Sequence, residues 1–189
     1  LKKNILFVSE EKNVKNFLSD RYGGSNLEEK FKRYMEIKAP PFSVISEHTY
    51  LLQDIHNSYV SGNFYSALTA ACCLGERIYN SIIFTVINDF KLDQHYKYLH
   101  GKGSIINWPE GISILKDWDI IDDLIAKEYH RLYRLRSESV HYQKKDQNAI
   151  TMSIEAINIV SYIIDELFGV QKKQKENLLY FDVPGELYI

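Results

Sequence analysis

The chain has 189 residues, of which 45% are hydrophobic and 25% charged, and a formal net charge of −2. It is long enough for one domain with a buried core, and its composition is that of an ordinary soluble globular protein. The small net charge excludes bulk binding of nucleic acid or membranes, so any such contact has to come from a local patch.

Residues 1–42 are predicted to form an N-terminal appendage and linker. The expected elements are a strand over residues 4–8, a charged helix over residues 10–18, a turn at Gly23 and Gly24, and a helix over residues 26–37. Pro40 and Pro41 end that last helix, because proline lacks a backbone N–H and pushes the preceding residue into an extended conformation. The two prolines are therefore the predicted linker.

Residues 43–169 are predicted to form a helical bundle, because apolar residues recur there with a period of about 3.6. Four long helices are expected. The first covers residues 46–60 and stops at Gly62, and the second runs from its cap Asn63 to about Phe90. The third starts near Asp119. The fourth is capped by Asp146 or Asn148 and stops at Gly169. The fold class is therefore all-α, an antiparallel four-helix bundle.

The apolar stripes of these helices define the expected core. On the third and fourth helices the inward side includes Leu124, Leu132, Ile150 and Ile157. The second helix carries small residues, Gly75 among them, which allow a neighbouring helix to approach closely.

The rest of the sequence bears on the C-terminal tail, on membrane contact and on the cellular compartment. Residues 170–189 are expected to form a tail, with strand-like residues around Pro184 and Gly185. No apolar run approaches the roughly 18 residues of a membrane span, so no membrane partner is expected. Cys72 and Cys73 are adjacent, and neighbours on a helix point about 100° apart, which makes a disulfide between them implausible. Buried thiols in a reducing compartment follow, with the cytoplasm as the expected location.

The histidines outside the bundle's third helix carry no metal pattern. His48 and His56 lie two helical turns apart, and His48 is on the apolar side, so core histidines are a better interpretation than metal ligands. His95 and His100 occur without a nearby cysteine. The stretch "HGKGS" lacks the first glycine of a phosphate-binding loop and predicts a solvent loop. We therefore expect no metal and no other cofactor.

The stretch "RLYRLRSESVHY" at residues 131–142 concentrates charge in a nearly neutral chain. Arg136 and His141 are separated by four residues, a rotation of about 140° on a helix, so the helix has to loosen or end before both side chains reach one group. "SES" favours such a break, because serine competes for backbone hydrogen bonds. A solvated face with ordinary helix pairing, running through His130, Arg134 and Glu138, remains open.

The position of this motif resembles the R-x(4–6)-H signature of the HEPN domain family. Arg136-x4-His141 follows the third helix, and the helix that carries Glu76 in "YSALTAACCLGERIYNSI" is similar to the family's second helix. The resemblance covers residues 43–169. It implies a metal-independent endoribonuclease, a toxin or antiphage-defence effector, whose site forms between two protomers. Ser137 departs from the Asn, Asp or His that most active members carry after the arginine.

The resemblance also implies roles for the residues of the site. RNA carries its own nucleophile, the 2′-hydroxyl, and His141 is the expected base that accepts its proton. Arg136 is expected to hold the charge that develops on the phosphorus oxygens, and Glu76 or Glu138 to orient one of the pair. The expected contacts to the RNA backbone are His130, Arg131, Arg134, Ser137, Lys144 and Lys145.

The expected partners are RNA, a second copy of the chain, and an antitoxin or a larger defence complex. The alternative is a non-catalytic bundle of the same shape that binds a protein or nucleic acid. In that case Arg136 pairs with an acidic neighbour and His141 caps a helix.

Overall fold

The computed structural model describes residues 2–140, 149–175 and 178–183. This part of the chain is mostly helical. Its helices are α1 (Lys2–Tyr22), α2 (Leu27–Glu36), α3 (Ser46–Val60), α4 (Phe64–Val86), α5 (Tyr96–Leu99), α6 (Trp108–Asp117), α7 (Asp123–Val140) and α8 (Ala149–Phe168). A 3-10 turn at Ile87–Phe90 follows α4 directly. Two strands, β1 (Gln171–Lys175) and β2 (Leu178–Asp182), pair antiparallel with Gln171 opposite Asp182.

Helix α4 is the centre of a bundle-like core. It packs against α3, α6, α7 and α8. Its inward stripe, from Leu68 through Tyr79 to Val86, is buried as its period predicts. Ala67, Ala71 and Gly75 are buried, whereas Ala70 lies at the surface. The all-α prediction therefore agrees with the described residues.

The connection between α3 and α4 is the tight turn that the sequence predicts. Helix α3 covers Ser46–Val60, and Gly62 follows it with a φ of 89°, a backbone conformation that favours glycine. Asn63 holds the cap position of α4, where its carbonyl accepts from the backbone N–H of Ala67 at 3.0 Å. Its side chain makes no capping hydrogen bond.

Several local predictions are wrong, among them the predicted burial of Cys73, which is exposed on α4. Residues 4–8 belong to α1 and not to a strand, since strand propensity depends on a partner and the helix continues through them. Leu124 and Ile150 are 62% and 40% exposed, because each lies in the first turn of its helix, away from the packed seam. Helix α7 begins at Asp123, where Asp122 Oδ1 accepts from the N–H of Ile125 at 2.8 Å, and Asp119 before it has a φ of 57°.

The N-terminal helices lie against α3. Tyr22 Oη donates to Asn57 Oδ1 at 2.7 Å, and Tyr59 Oη donates to Glu36 Oε2 at the same distance. Leu18 of α1 is fully buried and belongs to the same apolar cluster as the bundle. Residues 1–42 thus bring apolar and polar contacts to one side of α3.

The C-terminal end of α8 is tied to the segment that precedes α3. The backbone N–H of Val44 donates to the carbonyl of Phe168 at 3.2 Å, and Gly169 ends the helix as predicted. The β1–β2 pair follows, before Pro184. The expected turn at Pro184 and Gly185 and the expected caps Asp146 and Asn148 lie outside the described residues.

One helical segment among the described residues, Phe64–Phe90, is long and apolar enough by composition to cross a membrane. The adjacent charged residues Glu76 and Arg77 lie within this segment, so its apolar sequence is not continuous. Within the bundle, 56% of its most apolar window is buried, and four helices surround it. Its burial is that of a core helix.

Candidate functional site

The seam between α4 and α7 is the structural basis of the site. A Cβ added at Gly75 would overlap Leu132 Cδ2, so the absence of a side chain there permits the close approach of the two helices. The buried thiol of Cys72, one turn earlier on α4, lies 3.9 Å from the carbonyl of Leu132. Burial raises the pKa of this thiol to about 12, so Cys72 stays protonated and acts as an apolar packing group.

One turn beyond Leu132, the same seam brings Arg136 beside Glu76. Arg136 Nε lies 3.4 Å from Glu76 Oε2, and the two side chains are 35% and 26% exposed. The guanidinium carbon lies 5.8 Å from the ring centre of Trp108 on α6. A carboxylate on one side and an aromatic ring on another therefore fix the guanidinium at a half-buried position.

The hydrogen-bonding capacity of Arg136 is not used within the described part of the chain. Its contact with Glu76 is an ion pair without hydrogen-bond geometry, and no described acceptor receives a hydrogen bond from its guanidinium. An arginine has five N–H donors in a planar fork. Within the described residues, the site therefore presents positively charged donors that are positioned beside Glu76 and Trp108 and have no hydrogen-bond acceptor.

Trp108 is supported by a group of aromatic rings. The Tyr79 ring lies 5.3 Å from Trp108 and the Tyr133 ring 5.9 Å, both measured between ring centres. Gly111 of α6 faces the ring of Tyr79, where an added Cβ would come within 2.8 Å. The sequence did not single out Trp108: the Trp-Pro pair marks the start of α6 but does not indicate which side chains are buried.

The remaining arginines of α7 have acidic partners from two helices. Arg131 donates to both oxygens of Glu128, at 2.9 and 2.8 Å, and to Glu155 of α8 at 2.8 Å. Arg134 lies 3.9 Å from Glu155 and 4.0 Å from Glu138. The surface is therefore less basic than α7 alone indicates, because Glu155 comes from a distant part of the sequence.

The structure brings some of the predicted site residues together and separates others. Glu76 is beside Arg136, whereas Glu138 is beside Arg134. His130 is exposed on α7, and Ser137 is partly buried on the same helix. His141, Lys144 and Lys145 lie outside the described residues.

Helix α7 does not break within "SES"; whether it ends before His141, as both side chains reaching one group requires, lies outside the described residues. Helix α7 continues to Val140, and Ser139 Oγ donates to the carbonyl of Arg136 at 2.8 Å. This bond back to the preceding turn lets a serine stay inside a helix. Tyr65 Oη of α4 also donates to the carbonyl of Ser139 at 3.4 Å, which holds the end of α7 against α4.

His48 and His56 are both buried, as predicted for core residues. The ring of His48 lies 5.0 Å from that of Phe168, and its Nδ1 is 3.4 Å from Ser43 Oγ. Burial lowers the pKa of each histidine to about 4. Within the described residues, no three His, Cys, Asp or Glu side chains form a group that could hold a metal ion.

No family model matches the chain, and neither the search of curated proteins nor that of solved structures returned a similar protein.

Proposed function

We propose that this protein is a metal-independent endoribonuclease of the HEPN type, a toxin or antiphage-defence effector that acts in the cytoplasm. The observation that supports this proposal most is the environment of the Arg136 guanidinium. Its guanidinium is fixed by Glu76 and Trp108 but makes no hydrogen bond to a described acceptor. It lies near the end of α7, and four residues separate it from His141 in the sequence.

The proposed reaction uses the RNA's own nucleophile. His141 takes the proton of the 2′-hydroxyl, the 2′-oxygen attacks the adjacent phosphorus, and the bond to the 5′-oxygen breaks as that oxygen gains a proton. The products are a 2′,3′-cyclic phosphate and a 5′-hydroxyl. Arg136 binds the phosphate oxygens as negative charge builds up on them, and Glu76 keeps the guanidinium in place.

The side chains around Arg136 differ in their availability for RNA. His130, Arg134, Ser137, Lys144 and Lys145 are proposed as contacts to the RNA backbone. Arg131 is already bound to Glu128 and Glu155 through hydrogen bonds that raise its pKa, so its proposed role is structural.

The test is cleavage of a single-stranded RNA in the presence of EDTA. We expect cleavage with a 2′,3′-cyclic phosphate end, and no cleavage of DNA of the same sequence, which lacks the 2′-hydroxyl. A cyclic phosphate end resists periodate after phosphatase treatment alone and becomes sensitive to periodate only after acid hydrolysis followed by phosphatase. Activity that requires added magnesium or manganese would refute the mechanism.

A second candidate is a non-catalytic bundle that binds a protein or nucleic-acid partner. The Arg136–Glu76 ion pair favours it, because this pair joins α7 to α4, as the Arg131–Glu155 pair joins α7 to α8. This candidate predicts no cleavage of any RNA and a loss of stability when Arg136 is replaced.

A further inference from the structure

A second concave surface lies on the flank of α4, next to the candidate site. Arg77, Asn80, Ser81 and Phe84 line one side of it, at positions that share a helix face. Lys102 and Gly103 of the loop before α6 line the other side, and this shallow, open surface has a volume of about 430 Å³. We call this surface the α4 hollow.

The loop side of the hollow is fixed to α4. Asn80 Oδ1 accepts from the backbone N–H of Ile105 at 2.7 Å, and Asn80 Nδ2 donates to the carbonyl of Ile105 at 3.3 Å. Tyr79 Oη donates to that carbonyl at 2.7 Å. Ile105 itself is buried, so the glycine-rich segment before it stands at a defined distance from Arg77 and Phe84.

No described carboxylate lies within ion-pair distance of the hollow's two cations, although Glu47 is within electrostatic range of Arg77. Among the six arginines of the chain, all of them in described residues, Arg77 alone has neither a carboxylate within 4.0 Å nor an aromatic ring beneath its guanidinium. Lys102 Nζ lies 3.2 Å from the ring centre of Tyr98 and likewise has no described carboxylate in range. In a chain with a net charge of −2, two such cations beside one hollow favour an anionic ligand.

The loop adds backbone donors to these cations. The N–H groups of Gly103 and Ser104 donate to no described acceptor, and both residues are exposed. A Cβ added at Gly103 would meet no atom within 4 Å, so the side-chain position of Gly103 is open. Consecutive free amides near two cations form a surface that suits phosphate oxygens.

Phe84 gives the hollow an aromatic surface. It is partly buried on α4, two turns beyond Arg77 on the same face. An aromatic ring beside cations is the arrangement that proteins use for single-stranded nucleic acid, in which a base stacks on the ring and the phosphate binds the cations.

We infer that the α4 hollow binds one nucleotide of a single-stranded RNA, with its phosphate between Arg77 and Lys102 and its base against Phe84. The inference rests in part on the proposed ribonuclease function. Asn80 Nδ2 also donates to the carbonyl of Glu76 at 3.0 Å, so the hollow is one helical turn from the Arg136–Glu76 pair. One turn of helix rises about 5.4 Å, a distance that adjacent nucleotides of one strand can span.

The experiment is a binding titration with a fluorescent 2′-O-methyl oligonucleotide of about ten unpaired nucleotides, at several salt concentrations. This probe has no free 2′-hydroxyl, so binding is measured without cleavage. We expect Arg77→Gln and Lys102→Gln each to reduce the slope of log K against log salt by about 0.7. Phe84→Leu is expected to weaken binding by at least about fivefold and leave the slope unchanged.

Two controls make the result specific. Lys32→Gln removes an exposed cation of α2 and should change neither slope nor affinity. Phe84→Tyr keeps the ring and should retain the affinity, which separates stacking from damage to the fold. A fully paired RNA of the same sequence should bind more weakly to wild type than the single strand does, because its bases cannot reach Phe84.

The outcomes separate this inference from the proposed function. If wild type cleaves RNA but Arg77→Gln and Lys102→Gln leave the slopes unchanged, the inference about the hollow is wrong and the proposed ribonuclease function is supported. A wild type that cuts no RNA, with reduced slopes in both variants, overturns the ribonuclease and supports the hollow as an RNA-binding surface. If wild type does not bind the probe, the inference is overturned. That result is expected if the natural partner of the hollow is an acidic protein.

Discussion

At the scale of single residues, the arginines of α7 differ in their partners more than in their sequence positions. Arg131 makes three hydrogen bonds to two glutamates. Arg136, little more than one turn further on, makes none to a described acceptor. An arginine whose donors are occupied contributes to the packing of the bundle, whereas one with free donors is able to bind a phosphate.

Arg131→Gln and Arg136→Gln form a matched pair that tests this difference. We expect Arg136→Gln to reduce RNA cleavage by at least about a hundredfold, the effect of removing a donor that stabilises the transition state. Arg131→Gln should change cleavage by less than about threefold and lower the free energy of unfolding by about 1 kcal/mol or less. Initial cleavage rates and urea unfolding of both variants provide the measurement. Equal losses of cleavage in the two would contradict the assignment.

The buried histidines predict how stability depends on pH. Burial lowers the pKa of His48 and His56 from 6.5 to about 4, so between these values the unfolded chain binds more protons than the folded one. Their contribution to stability is full above pH 6.5 and is lost as the pH falls towards about 4. We expect each histidine to reduce the free energy of unfolding by roughly 1–2 kcal/mol between pH 7 and pH 5.

Urea unfolding at pH 7 and pH 5 measures this loss. His56→Phe should remove about half of it. His100→Asn, at an exposed position, should leave it unchanged. The prediction is wrong if His56→Phe loses as much stability on acidification as wild type does.

Sequence reasoning succeeded for residues whose environment depends on their own helix. The period of α3 placed His48 on the apolar side of the helix, where it is buried. It was less informative for charges, because an ion pair depends on partners far along the chain. Glu155 neutralises Arg131 and Arg134 from α8, and no local pattern in α7 indicates that contact.

At the scale of the elements, Gly75 is the residue that determines how α4 meets α7. Its missing side chain leaves room for Leu132. Glu76, the next residue of α4, and Arg136, one turn beyond Leu132 on α7, then lie 3.4 Å apart. The small-residue pattern of α4 predicted a close approach but not which helix would make it. The partner became evident from the packing of Leu132.

Gly75→Ala tests this close approach. The new methyl group would overlap a fully buried Leu132, an overpacking cost of about 1–3 kcal/mol, partly offset by a gain in helix propensity of about 1 kcal/mol. We therefore expect net destabilisation. In a Leu132→Ala background, itself destabilised by about 2–5 kcal/mol, the same change should stabilise the protein because it fills the space. A double-mutant cycle measured by thermal unfolding would show this change of sign, and additive effects would contradict the packing.

Two element predictions failed because local propensity is weaker than context. Residues 4–8 have strand-like side chains but are helical, since they continue the helix that residues 10–18 predict. "SES" contains poor helix formers but stays helical. Ser139 Oγ donates to the carbonyl of Arg136, and Tyr65 Oη donates to the carbonyl of Ser139. The contact from Tyr65, which comes from a distant part of the chain, is not visible in a local pattern.

At the scale of the whole molecule, the proposed reaction needs more positive charge than one protomer presents near Arg136. Glu76, Glu128, Glu138 and Glu155 surround the arginines of α7. A second copy related by a two-fold axis would double the basic density along a bound strand. We therefore expect a homodimer with residues 130–142 near the axis.

Light scattering coupled to size exclusion measures the oligomeric state directly. We expect a dimer at protein concentrations of tens of micromolar. Mixing Arg136→Ala chains with wild-type chains should also lower the activity of the mixture more than dilution does, if each site takes residues from two chains. A monomer that cleaves RNA would contradict the composite site.

The most direct test of the central proposal compares wild type, Arg136→Ala, His141→Ala and the double variant for RNA cleavage in EDTA and for thermal unfolding. We expect wild type to cleave and each single variant to lose cleavage while its Tm stays within a few degrees. The double variant should be no worse than either single one, because residues that act as a unit are not additive. A wild type that never cuts RNA, with Arg136→Ala and His141→Ala both unfolded, would show that the motif is structural and that the proposed function is wrong.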